Sequence, residues 1–369
     1  MNKILGTIFI ILLVSIAGCS KKDDPVPPVA SLYFPPSGLT WEKVTPASVG
    51  WDESKIADLK TFLQTSNSRA LIVLKDGKIV IEEYLGKQLA NTALDFNVSA
   101  NWYWASAGKT LTSAVVGIAN GQGKINLDAK TSNYLGAGWT SLTPTQENKI
   151  TVRHQLTMTT GLDDYSDVGF TGNKDCTIPN CLIYKAEPGT QWAYHNAPYT
   201  LLDGVVASAT GKTLNTYLSE QILTKMGMDG IYLKTGDNNV FYSTPRSMAR
   251  FGLLLLNKGA WNGTSVIPET YFNLMKNTSQ NLNLSYGYLT WLNGKASSMV
   301  PGSQQVFQAE ICANAPDDMF AAMGKNGQLI NIVPSKNIVV IRMGDEPDNS
   351  LVPLSFQNEL WAKLNTIIK

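Results

Sequence analysis

Histidine is nearly missing from this sequence: His154 and His195 are the only two. No residue set here has the ligand spacing of a zinc site, and no metal or other cofactor is implied. A Ser-His-Asp triad is disfavoured as well. There is no Gly-x-Ser-x-Gly elbow, and neither histidine lies in a suitable terminal loop. Charge is equally sparse. Asp, Glu, Lys and Arg make up 16% of the chain and the formal net charge is +1, so no broad electrostatic field draws nucleic acid or an acidic membrane. Surface polarity must come from Asn, Thr, Ser and Gly. Apolar residues, at 44% of 369, suffice for one large domain or two intimately packed ones.

The start of the chain points to a compartment. Asn2 and Lys3 precede an apolar run from Ile4 to Ala17. At about 14 residues it is too short for an ordinary spanning helix, which needs about 20, and it suits the core of a signal peptide. Its end, Ile16-Ala17-Gly18-Cys19, resembles a bacterial lipobox, with residues 1–18 removed and lipid added to Cys19. A plain secretory signal followed by a chance cysteine is the blander alternative. Ser20-Lys21-Lys22-Asp23-Asp24 resembles the charged start of outer-membrane or surface lipoproteins, so a lipid anchor to a bacterial membrane is expected, with the body periplasmic or at the cell surface. Residues 19–40 read as a tether, stiffened by Pro25, Pro27, Pro28, Pro35 and Pro36 and kept by them from packing. Cys176 and Cys181 lie five apart in a Gly/Asn/Pro loop and are candidates for a local disulfide. Cys312 is left over and expected to be buried.

The remainder, 41–369, reads as an α/β (α+β) domain. Trp51–Gln64 has helical periodicity. Leu71–Leu74 and Ile79–Ile81 flank Asp76-Gly77, a strong hairpin signal. Residues 104–119 read as a buried helix, and Met248–Leu256 as a long apolar one. Strands are expected at Met319–Met323, Gln328–Val333 and Ile338–Met343, with a turn at Pro334–Asn337 and a closing helix at Pro353–Ile368. Strands at both ends predict one antiparallel sheet flanked by helices, from about 41–100 and 300–369, with a mostly helical region at about 101–299.

Chemistry concentrates at Ser106-Ala107-Gly108-Lys109. On a helix, residues three apart share a face, so the hydroxyl and amine sit side by side. Serine needs a base to become a nucleophile, and lysine can be that base only if neutral. Burial, supplied by Trp102, Tyr103 and Trp104 before and Leu111–Ile118 after, disfavours the ammonium, as does the helix N-terminus. About one such motif is expected by chance in a chain this size, and its bland form is a helix start with a solvated lysine. Ser106 is nevertheless the only serine with lysine at the third position after it. A second element is Tyr194-His195-Asn196: the phenol can relay a proton to a leaving group, and the asparagine amide can hydrogen-bond a substrate carbonyl. Tyr271-Phe272-Asn273 repeats the pattern in an apolar helix and reads as core. His154 reads as a satisfied core residue. His195, Trp192, Tyr286 and Tyr288 could line a pocket or simply pack.

With these motifs the chain resembles the β-lactamase-related serine hydrolases, over about 45–369. Further support comes from Ile150–Thr157 running to Thr160-Gly161-Leu162, from Glu187-Pro188-Gly189, and from Phe251-Gly252-Leu253-Leu254 followed by Lys258-Gly259 and Trp261-Asn262-Gly263. The resemblance implies the β-lactamase/transpeptidase-like fold, with Ser106 as nucleophile, Lys109 as base, Tyr194 as proton relay and Asn196 orienting the substrate. Such enzymes usually carry Lys-Thr-Gly or His-x-Gly on the strand beside the nucleophile. Lys234-Thr235-Gly236 follows Tyr194 too closely to be that motif, Lys325-Asn326-Gly327 is a competing register, and Lys75-Asp76-Gly77 is the hairpin turn. Counting back from Gln328–Val333 places the motif on Ala322-Met323-Gly324, in a pattern resembling the 6-aminohexanoate-dimer hydrolase and esterase branch. The oxyanion hole would then be the backbone N–H groups of Ser106 and Lys325, beside Gly324. The carboxylate-binding cation is missing at Ala322, and pleat alternation would turn the Lys325 side chain away. The expected substrate is therefore a small neutral ester or amide. Three alternatives stay open: a β-lactamase or D-alanyl-D-alanine carboxypeptidase, a non-turning sensor or binding lipoprotein, and a purely structural surface lipoprotein.

Overall fold

The computed structural model describes residues 32–165, 174–348, 350 and 352–369. Cys19, the signal peptide and the first part of the tether lie outside them. Strands β1 (Ser68–Lys75) and β2 (Lys78–Tyr84) form the expected hairpin. Asp76 and Gly77 both have positive φ, the type I′ geometry whose twist matches the strands it joins. Trp102–Tyr103 is β3, Ile231–Thr235 is β4 and Asn238–Ser243 is β5. The minor pair Ala260–Trp261 and Thr264–Ser265 forms β6 and β7, Trp291–Leu292 is β8, and Phe320–Gly324, Gln328–Val333 and Ile338–Gly344 are β9, β10 and β11. The principal sheet is antiparallel in the order β2-β1-β11-β10-β9-β8.

Strands β10 and β11 are buried at every position. That is why they read as continuous apolar runs rather than alternating ones: each face is covered. The Pro245–Leu256 helix packs on β1, β10 and β11, and the Ile56–Thr65 helix packs on β1 and on the closing helix Leu354–Asn365. Arg342 on β11 is wholly buried and, among the described residues, pairs with no carboxylate. Its guanidinium donates to the carbonyls of Ser66, Asn326, Gly327 and Asp345 and to the Ser68 hydroxyl. It thereby holds the turn after β9 against the sheet.

Two expectations need correction. The region 101–299 is not simply helical: β3, β5 and β4 form a second, three-stranded antiparallel sheet. Its strands are short, and polar or mixed on one face, so they carry little apolar periodicity. The tether also does not run to residue 40, because the chain joins the folded body at Leu32. Tyr33 N–H donates to the Asp76 carbonyl at 2.9 Å, and buried Arg250 donates to the carbonyls of Pro35, Pro36 and Gly38. Proline lacks a donor, yet its carbonyl remains a full acceptor, and a buried guanidinium needs acceptors.

Candidate active site

Ser106 sits in a 3₁₀ turn, Ala105–Ala107, that leads directly into the Gly108–Gly121 helix. Ala105 has φ 46, a left-handed conformation costing about 1 kcal/mol or more for a residue with a Cβ. Both sides of the turn are clamped. Trp104 N–H donates to Phe241 O at 2.8 Å, and its indole N–H donates to Ser243 Oγ at 2.8 Å, which ties the turn to β5. On the other side lies Gly324 at the end of β9. A Cβ there would stand 2.4 Å from Trp104 O and 3.0 Å from Ser106 N. Only glycine lets the strand approach so closely, bringing the Gly324–Lys325 peptide beside the Ser106 amide.

Lys109 Nζ is 2.9 Å from Ser106 Oγ. Lys109 is 4% exposed, and its amine lies over the rings of Tyr194 at 5.0 Å and Tyr199 at 4.5 Å. Burial pulls its pKa down to about 7; the charge of Asp175 opposes that fall and the charge of Lys174 adds to it. Tyr194 is buried, its hydroxyl within hydrogen-bonding reach of Ser106, and burial keeps the phenol protonated well above its ordinary range. Trp192, Tyr286 and Trp291 pack around the Tyr194 ring. Of these only Trp291 lines the cleft, a volume of about 330 Å³ that also meets Ser106, Lys109, Asn196, Gly324 and Lys325. Tyr286 and Trp192 are packing behind the tyrosine, and Tyr288 reaches Arg153 instead.

Asn196 lines the cleft, but not in the expected attitude. Its Nδ2 donates to Asp175 Oδ1 at 2.7 Å, so the amide N–H₂ faces a carboxylate, and Oδ1 is the buried atom left without a partner. Burial raises the Asp175 pKa, but hydrogen bonds from Asn196 and Asn238 and the adjacent Lys174 charge outweigh it and keep the carboxyl ionised. The loop carrying Asp175 is anchored by the bond from Ala197 N–H to Lys174 O, at 3.1 Å, and by the Cys176–Cys181 disulfide. Sequence patterns contained no signal for Asp175, since its partner lies 21 residues away. Asn238, Asn239 and Val240 were missed because β5 itself was missed.

Ala322 is fully buried on β9, with no cation at the expected position. Lys325 is exposed and lines the cleft. The strand ends at Gly324 and Lys325 begins a 3₁₀ turn, so strict pleat alternation does not apply to it. Lys234-Thr235-Gly236 lies at the hairpin end of β4, outside the principal sheet, and does not line the cleft. Tyr271 bonds Ser113 inside the core, and His154 caps its own short helix through Thr151. Cys312 is a buried free thiol. Among the described residues no cluster of His, Cys, Asp and Glu could hold a metal ion.

His195 is 2% exposed, and among the described residues neither ring nitrogen has a hydrogen-bond partner. Burial lowers its pKa to about 4. Folding therefore excludes a proton that the unfolded chain binds below about 6.5. Stability is lost as pH falls from about 6.5 to 4, by about 3 kcal/mol. His195→Met is expected to be more stable than the parent at pH 4.5 by about 2 kcal/mol, and to be nearer to it at pH 8. Urea unfolding at the two pH values checks this. An equal difference at both would show that the imidazole does not titrate.

A family model described as Beta-lactamase matches residues 64–349. Among solved structures, the chain is similar to a Bacillus anthracis protein described as a 6-aminohexanoate-dimer hydrolase, at 20% identity, covering 90% of this chain and 87% of that one, with a TM-score of 0.63. It is also similar to a penicillin binding protein from Bacillus halodurans, at 18% identity, 83% and 98% coverage, and a TM-score of 0.59. A penicillin-binding protein homolog from Caulobacter crescentus matches at 14% identity, 85% and 98% coverage, and a TM-score of 0.63. At these identities the likeness speaks for the fold alone. No curated protein sequence matches the chain.

Proposed function

The chain belongs to the β-lactamase family, and from that premise we propose that it hydrolyses neutral esters or amides through an acyl-enzyme on Ser106. The observation that carries this is the 2.9 Å contact between Lys109 Nζ and Ser106 Oγ, at a site where burial favours the free amine. Lys109 takes the hydroxyl proton as Oγ bonds to the carbonyl carbon. The N–H groups of Ser106 and Lys325 receive the developing oxyanion. Proton return through Tyr194 releases the alcohol or amine as its bond to the carbonyl breaks. Water then attacks the acyl carbon and gives its proton to the neutral Lys109, which passes it to Ser106 Oγ as the acyl–oxygen bond breaks and the acid leaves. Asn196, its amide held by Asp175, forms part of the cleft wall against which the substrate is positioned. A panel of small esters and amides assayed on the wild type tests the proposal, and no turnover of any of them would overturn it.

Gly324 supplies a narrower test of the oxyanion assignment. Gly324→Ala must displace either β9 or the nucleophile turn by several tenths of an ångström. Its kcat/KM should fall about 100-fold, the usual scale for a misplaced oxyanion donor. Steady-state kinetics at wild-type level would remove Gly324 and Lys325 from the site.

Turnover of β-lactams or stem peptides has one observation in its favour: exposed Lys325 lines the cleft and could meet a carboxylate. The buried Ala322 weighs against it. Nitrocefin hydrolysed as fast as the best ester would reverse that order.

We also propose that the chain is an exported lipoprotein held by Cys19. The lipobox-like Ile16-Ala17-Gly18-Cys19 supports this reading, since lipid on that thiol would hold the chain to a bilayer. Cys19→Ala should move the protein from the membrane to the soluble fraction on cell fractionation. An unchanged distribution would dismiss the anchor.

A further inference from the structure

Resting on the hydrolase assignment, we propose that the outer face of the β3–β5–β4 sheet extends the cleft and takes an unbranched apolar chain borne by the substrate. In an antiparallel pair, residues directly opposite share a face. Ile231 stands opposite Tyr242, and Leu233 opposite Val240. Their neighbours Tyr232 and Phe241 point the other way, into the core. On the outer face, Ile231 and Leu233 remain 46% and 47% exposed, although apolar side chains on a two-residue-loop hairpin could readily have been polar.

This face is continuous with the site. Val240 lines the same cleft as Ser106 and Lys109. One side-chain repeat further along β5, about 7 Å, Tyr242 and Ile231 line a second depression together with Leu39, itself 55% exposed. An apolar track therefore runs from beside the nucleophile, over Val240 and Leu233, to Tyr242 and Ile231. The cleft itself is mixed, with Lys174, Asp175, Asn238, Asn239 and Lys325 in its lining, so the exposed apolar surface lies on the adjoining sheet face. A chain lying on this track would exclude water from surface that is otherwise left wet. Such a chain could belong to the acyl part or to the leaving group, and the two arms of the test separate them.

One arm uses p-nitrophenyl esters from acetate to octanoate; the other uses alkyl acetates from methyl to octyl. In whichever arm matches the occupied part, kcat/KM should rise by up to about fourfold per methylene, levelling off where the track ends. In Leu233→Ser the ratio of octanoate to acetate (or of octyl to methyl) should fall at least tenfold, while Leu233→Met should keep it. Thermal melting of both variants establishes that they fold. Rates independent of chain length in both arms, or the same slope in Leu233→Ser, would overturn the track and leave the hydrolase assignment standing. Failure to turn over any ester or amide would overturn both. Light scattering covers a competing occupant: a dimer that Leu233→Ser dissociates, with the slope unaltered, would assign the face to a second copy of the chain.

Discussion

Ser106→Ala is expected to lower ester or amide turnover by about four to six orders of magnitude and to abolish covalent labelling by a fluorophosphonate. The size of the effect follows from the covalent step. Without Oγ there is no atom to form the acyl-enzyme, and what remains is the oxyanion donors and the binding of the substrate. The substitution should leave the fold intact. Ser106 is only partly buried, and its turn is held by Trp104, through β5, and by the approach of Gly324. Mass spectrometry of the labelled protein, with kinetics on the most active substrate of the panel, makes the measurement. Turnover retained in Ser106→Ala would dismiss the proposed chemistry. Labelling without any turnover would instead indicate a non-turning sensor.

The second large effect concerns Lys109. Lys109→Met is expected to lower kcat/KM by about 10³–10⁴, the upper range for a positioned general base. Lys109→Arg should do no better, since a guanidinium stays protonated and cannot accept the proton. The pH profile carries a distinct signature. Because burial lowers the lysine to about 7, the free amine accumulates as pH rises through 7. The wild-type kcat/KM should therefore show an acidic limb centred near pH 7, and residual activity in Lys109→Met should lack it. The fall from 10.5 to about 7 corresponds to about 5 kcal/mol favouring the neutral form. The faces of Tyr194 and Tyr199 favour the ammonium, by about 2 kcal/mol or more for a desolvated contact, and so act against burial, the largest cause of the fall. The sign for stability runs the same way. Between about 7 and 10.5 the unfolded chain binds more protons, so this residue's contribution to stability rises with pH across that window. An acidic limb that survives in Lys109→Met would assign it to another group.

Much of the fold was legible because it rests on local patterns. Asp76-Gly77 between apolar runs marked the first hairpin, and Gln328–Val333 was bounded correctly by its apolar run and the following proline. β4 and β5 were not legible. Outward Ile231 and Leu233 alternate with Tyr232 and Lys234, so one face is not the apolar side that a half-buried strand should show. Asn196 was found, but the direction of its amide was not. The orientation depends on Asp175, which arrives from another loop.

For the site, chemistry inside one helical turn could be read directly. Ser106 and Lys109 meet because residues three apart share a face of the 3₁₀ turn and of the helix it leads into. Contacts between distant segments had to wait for packing. Gly324 touches the Ser106 turn, Asp175 turns Asn196, Arg342 holds the Lys325 turn, and Arg250 binds the proline-rich entry to the domain. None of these pairs is set by a repeat length. They follow from which apolar faces bury one another and from the need of each buried polar group to find a partner, and only the assembled core determines where that partner stands.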